Sequence, residues 1–173
     1  RALQEDGADP YPTTVTLVEA LHDRGIATAV ITSSRNSEEV LRGAGVRYLF
    51  PVKVDGVDAD ELGLAGKPMP DIFLEAARRL GVDPGRAAVV EDALSGVEAG
   101  RSGGFALVIG VDRVGQAAEL EAKGADLVVS DLGELLPAPF FVDQLPDAME
   151  GVSIADGQRL AVFLDYDGTL TPI

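Results

Sequence analysis

Arg159-Leu-Ala-Val-Phe-Leu-Asp-Tyr-Asp-Gly-Thr-Leu-Thr-Pro-Ile173 is the stretch on which the reading of this chain turns. Its apolar run, residues 160–164, delivers Asp165 and Asp167 to a turn at Gly168. A short apolar run bounded by a turn signal reads as a buried strand, so the two carboxylates stand just past a strand end. Buried strand, paired acids, glycine and hydroxyl are what a magnesium-dependent phosphoryl-transfer site with an aspartate nucleophile requires.

Upstream, apolar strands alternate with amphipathic helices. Residues 13–24 carry Val15, Leu17, Val18 and Leu21 at helical spacing and stop at Gly25. The β-branched run 26–31 predicts a buried strand. Residues 37–44 predict a helix and 47–52 a second strand, followed by an acidic loop with Asp55, Asp58, Asp60 and Glu61. Residues 70–80 read as a helix with proline at its start and Gly81 past its end. Strands follow at 87–90, 105–109 and 126–129, with helices at 93–102 and 116–123 between them. The pattern predicts an α/β fold with a parallel sheet covered on both faces. After Leu136, the prolines at 137, 139 and 146 predict a linker over 137–158, with a short helix near 144–150.

Composition narrows the function classes. A hydrophobic fraction of 46% with 25% charged residues reads as globular rather than disordered. No apolar run approaches the roughly 18 residues of a membrane helix. The net charge of -15 disfavours nucleic acid and anionic membranes, both of which need a positive footprint. The chain has no cysteine, which excludes disulfides and thiolate chemistry and fits a cytoplasmic location. The single histidine, His22, reads as an exposed surface residue on the first helix.

Four clusters stand at strand ends, where open parallel sheets bind ligands. Thr32-Ser33-Ser34-Arg35-Asn36 offers hydroxyls and backbone N–H groups suited to a phosphate, or simply a helix cap. Gly66-Lys67-Pro68-Met69-Pro70-Asp71 sets a lysine among rigid prolines. Glu91-Asp92 joins two carboxylates that repel unless a cation neutralises them, and hard oxygen ligands suit Mg²⁺. The fourth cluster is the Asp165–Asp167 pair.

Together these stretches resemble the haloacid dehalogenase (HAD) superfamily. The final segment resembles its motif I, Asp-x-Asp-Gly-Thr. Residues 25–36, Gly66-Lys-Pro-Met-Pro-Asp-Ile-Phe73 and Val90-Glu-Asp-Ala-Leu-Ser-Gly-Val97 resemble motifs II, III and IV of the β-phosphoglucomutase and phosphoglycolate phosphatase subgroup. The resemblance implies a three-layer, Rossmann-like HAD fold. It implies Thr32 and Lys67 on the phosphoryl group, Asp165 as nucleophile and Asp167 as acid/base. It further implies Mg²⁺ held by Asp165, Asp167, Glu91 and Asp92, and substrate contacts from Ser33, Ser34, Arg35 and Asn36.

The order departs from the family's, in which motif I comes first and a helical cap follows it. Nearly the whole cap is absent, and motif I closes the chain with an accent resembling the trehalose-6-phosphate phosphatase branch. The expected organisation is a HAD-like core over 1–136 lacking its own first strand, the linker, and a motif I strand over 159–173. The order predicts a fragment of a fusion with further domains, and the orphan strand could fill the empty central slot of the sheet. The expected activity is hydrolysis or transfer on a phosphorylated sugar through an aspartyl phosphate. The alternative is a non-catalytic scaffold or regulatory module of a fused trehalose phosphatase. A receiver domain is disfavoured, because Lys67 precedes the Glu91-Asp92 pair rather than following the last strand.

Overall fold

Apolar runs in this chain end at glycines, acids or hydroxyl residues, and these punctuations mark out the elements of the fold. The structure, a computed structural model, describes residues 9–136 and 161–171. In chain order they form α1 (Pro12–His22), β1 (Ala27–Ile31), α2 (Ser37–Gly43), β2 (Val52–Val54), α3 (Gly56–Leu62) and α4 (Asp71–Leu80). Then come β3 (Ala87–Glu91), α5 (Leu94–Ser102), β4 (Leu107–Val111), α6 (Ala117–Lys123), β5 (Leu127–Val129) and β6 (Ala161–Asp165). The six strands make one sheet in the order β2-β1-β6-β3-β4-β5, and every pairing is parallel. This is the parallel α/β sheet that the alternation predicts and the Rossmann-like fold that the resemblance implies.

β6, last in the chain, lies in the middle of the sheet. It pairs with β1 from Ala27 opposite Ala161 to Ile31 opposite Asp165, and with β3 from Ala87 opposite Ala161 to Val90 opposite Leu164. All five of its residues are buried. Because side chains alternate along a strand, β6 feeds both layers of core. Val162 and Leu164 join Leu17, Val18, Leu21 and Leu41 from α1 and α2 on one face. Phe163 joins Ile72, Phe73 and Ala76 from α4 on the other. There Phe163 meets Phe105 edge-on with ring centroids 5.5 Å apart, and Phe105 meets Phe73 at 6.0 Å.

Several local expectations are corrected. The strand expected over 47–52 divides into a single 3₁₀ turn, Arg47–Leu49, and β2, which starts only at Val52. The expected acidic loop is α3. Asp55 caps it by accepting from the backbone N–H groups of Val57 and Asp58, and the Asp58 carboxylate accepts in return from the Asp55 N–H. That helix buries none of its residues, so it has no apolar stripe to betray it. β4 begins two residues later than the apolar run suggested. His22 is half-buried rather than exposed, with Nε2 2.7 Å from Thr28 Oγ1. The Thr28 hydroxyl donates to the Leu49 carbonyl, so the ring nitrogen must be the donor to Thr28. The expected linker, its short helix and the end of the chain past Thr171 lie outside the described residues.

The position of β6 has a measurable consequence. Phe163→Ala removes a fully buried ring touching α4 and Phe105, and should cost about 3–5 kcal/mol in a urea titration. A loss under about 1 kcal/mol, typical of an exposed site, would show that β6 does not occupy the central slot.

Candidate active site

Parallel strands bring their carboxyl ends to one edge of the sheet, so the groups that follow β1, β3 and β6 become neighbours. Thr32 follows β1 one residue after Ile31, the partner of Asp165. Its N–H donates to the Val54 carbonyl at 3.1 Å, and its hydroxyl oxygen accepts from the Ser34 N–H at 3.0 Å. Glu91 ends β3 with Asp92 directly after it, and Asp165 ends β6. Carboxylate oxygens of Glu91, Asp92 and Asp165 all lie within 4.8 Å of one another, and all three residues are buried.

Lys67 reaches this cluster from the loop before α4. Its ammonium bonds to Asp165 Oδ1 at 2.6 Å and to Glu91 Oε1, and it stands 5.2 Å from the Phe73 ring centroid. Glu91 is further fixed by the Ala93 N–H, which donates to Oε2 at 2.9 Å. Two glycines make room for the acids. A side chain at Gly96 would collide with the Glu91 carboxylate, and one at Gly168 with the Asp92 carboxylate. Gly168 also adopts φ +79°, a conformation that other residues rarely take.

Crowding acids in a dry site has an electrostatic cost. Burial, then the neighbouring charge of Glu91, pushes the Asp92 carboxyl up to about 6. Burial and Glu91 likewise raise Asp165 well above the ordinary carboxylate range, against the pull of Lys67. Burial opposes the charge on Lys67, but the Glu91 and Asp165 carboxylates outweigh it and raise the ammonium above its usual value. One lysine cannot satisfy three carboxylates. The donor set, all hard oxygen and short of positive charge, fits a divalent cation such as Mg²⁺.

The remaining sequence-derived candidates are arranged differently. Asp167 is exposed and stands outside the buried triad. Ser33 and Arg35 line a cleft of about 320 Å³ that also includes Ala59, Asp60, Ile72 and Lys67. Arg35 pairs there with Asp60, both largely exposed. Ser34 Oγ accepts from the Asn36 N–H at 3.2 Å, and Asn36 precedes α2 without a side-chain cap. Arg113 belongs to none of the four sequence clusters, yet its Nε donates to the Gly168 carbonyl at 2.9 Å across 55 positions. No local pattern signals such a contact.

The raised Asp92 makes a test of the metal-free protein. Its folded-state value lies above the ordinary 3.8, so the fold favours the protonated acid. That contribution is complete below pH 3.8 and is lost as pH rises through about 6. Asp92→Asn should therefore stabilise the metal-free protein at pH 7 by about 1–3 kcal/mol. Urea titrations across this range should show the gain shrink toward zero in acid; a constant gain would disprove the assignment.

Comparison with known proteins places this geometry. The family model for haloacid dehalogenase-like hydrolases matches residues 2–104. The chain is 49% identical over 139 residues to a beta-phosphoglucomutase of Mycobacterium bovis, covering 79% of this chain and 53% of that protein. It is 40% identical over 173 residues to a trehalose-phosphate phosphatase of Mycobacterium leprae, covering 95% of this chain and 38% of that one. The crystal structure of a HAD phosphatase from Thermococcus onnurineus matches with a TM-score of 0.63 and 30% identity, over 87% of this chain and 60% of that one. The chain thus spans about half or less of the length of these two curated relatives. By motif, sheet order and similarity, the chain belongs to the haloacid dehalogenase-like hydrolase family.

Proposed function

We propose that the chain carries a Mg²⁺-dependent phosphatase or phosphotransferase site for sugar phosphates. The observation that carries this reading is the buried triad of Glu91, Asp92 and Asp165, with the Lys67 ammonium bonded to two of the three. Asp165 is the nucleophile. One of its carboxylate oxygens forms a bond to phosphorus while the bond from phosphorus to the sugar oxygen breaks, leaving an aspartyl phosphate. Asp167, exposed toward solvent, gives a proton to the departing alkoxide. It then takes one from the water that attacks the aspartyl phosphate and releases inorganic phosphate.

Lys67 balances charge on the phosphoryl oxygens and opposes the burial that raises Asp165. Thr32 orients the phosphoryl group through its hydroxyl and the backbone N–H that follows. Ser33, Ser34, Arg35 and Asn36 contact the rest of the substrate. Glu91, Asp92 and Asp165 would hold Mg²⁺, with Asp167 joining them, and the ion would supply Lewis-acid stabilisation of the charge that builds on phosphate oxygens.

The relatives support the substrate class. Both beta-phosphoglucomutase and trehalose-phosphate phosphatase act on phosphorylated sugars by name, and the second aligns with nearly the whole chain. We accordingly read the chain as part of a trehalose-6-phosphate phosphatase polypeptide, working in the cytoplasm beside further domains of the same chain. Nucleic acid and membranes are not partners in this reading. The described residues contain no helix long and apolar enough to cross a membrane, and the chain is strongly acidic.

Hydrolysis of p-nitrophenyl phosphate by the purified chain provides the test. Activity should require Mg²⁺ and fall on the order of 1,000-fold in Asp165→Asn. A folded wild-type chain with no Mg²⁺-dependent turnover would favour the non-catalytic scaffold instead.

A further inference from the structure

Past the end of the β3–β6 ladder, strand pairing no longer controls the spacing of the acids. That ladder stops at Val90 opposite Leu164, and the β3–β4 ladder stops at Glu91 opposite Gly110. Asp92 lies beyond both. Asp165 still has Ile31 of β1 as its ladder partner, and the next N–H, of Tyr166, donates to the Ile31 carbonyl at 2.9 Å. Nothing in the sheet ties Asp92 to the turn that follows Asp165, and like charges so close together repel.

The loop between β4 and α6 bonds to both sides of this gap. Arg113 Nε donates to the Gly168 carbonyl at 2.9 Å, and Gln116 Nε2 donates to the backbone carbonyl of Asp92 at 2.9 Å. The two tethered residues are themselves in contact, since the Asp92 carboxylate fills the space where Gly168 lacks a side chain. The loop is braced internally. Asp112 Oδ1 accepts from the N–H groups of Val114, Gly115 and Gln116 at 3.2, 2.7 and 2.8 Å. Arg113 is braced as well, with its guanidinium carbon 4.0 Å from the Tyr11 ring centroid and Nη1 donating to the Ser130 carbonyl at 3.2 Å.

We propose that Arg113 and Gln116 are positioning residues that clamp the backbone of Asp92 to the turn at Gly168, holding the Asp92 and Asp165 carboxylates at the spacing a divalent cation requires. The inference rests on the magnesium reading above and adds to it two residues that act through backbone carbonyls. The clamp and simple electrostatics differ in sign. Arg113 is a cation beside the site, so if only its charge mattered, removing it would tighten Mg²⁺ binding. If the clamp matters, removing it loosens Mg²⁺ binding.

Calorimetric titration of Mg²⁺ into the metal-free, folded chain separates the two. Arg113→Met and Gln116→Met should each raise the Mg²⁺ Kd about tenfold, and Arg113→Lys, which keeps the charge but loses the Nε donor, should not restore it. A merely structural role would lower Tm and leave the Kd of the folded fraction unchanged. Mg²⁺ binding as tight as wild type, or tighter, in either methionine variant overturns the clamp. Should Arg113→Met fail to fold, Gln116→Met decides by the same criterion. A wild-type chain that binds no Mg²⁺ overturns the magnesium reading and the clamp with it, and is recognised before any substitution is made.

Discussion

β6 is hydrogen-bonded along both edges, to β1 on one side and β3 on the other, and this double ladder is the constraint on which the molecule depends. Without it the sheet would split into β2-β1 and β3-β4-β5, each exposing a strand edge with unpaired N–H and C=O groups. The same five residues also supply both layers of core, Val162 and Leu164 to one face and Phe163 to the other. The strand that closes the sheet ends in Asp165. Folding and assembly of the acidic cluster are therefore one event, because the hydrogen bonds that seat β6 also bring its terminal carboxylate beside Glu91 and Asp92.

That cluster is held together against its own charge. Burial and the neighbouring Glu91 carboxylate raise Asp92 and Asp165, and Lys67 opposes the effect at both, although it hydrogen-bonds only Asp165 and Glu91. A site of this kind trades stability for readiness, since the fold has already met the cost of gathering the carboxylates before any cation arrives. The two tight glycines express the same compromise. Gly96 and Gly168 contribute no side chains of their own so that Glu91 and Asp92 can approach closely.

How much of this could be read from the sequence depended on the range of the interaction. Apolar runs revealed β1, β3 and β6 because each is buried on both faces and so carries an uninterrupted signal. Acids following those runs marked Glu91, Asp92 and Asp165. α3 escaped because it buries nothing, so the period that exposes a helix is missing; the Asp55 and Asp58 cap was its only mark. β4 slipped by two residues because apolarity is continuous from Phe105 to Ile109 and beyond, and only hydrogen bonds to β3 and β5 set its ends. His22 looked exposed because the Thr28 hydroxyl that covers it lies on the following strand.

By itself the sequence determined the chemical vocabulary of the protein: a hydroxyl after β1, a lysine before α4, paired acids after β3, an acid after β6, and no cysteine. These are local facts, each carried by a few adjacent residues, and the motifs they compose sufficed to name a family. Only the tertiary structure decided which of those groups meet. Lys67 and Asp165 touch across 98 positions, and Arg113 reaches Gly168 across 55, while Asp167, two residues from Asp165, stands outside the buried triad. The physical reason is that ladder pairing and buried charge act between strands that are neighbours in space, whereas periodicity along the chain marks each strand without fixing its register or its neighbours.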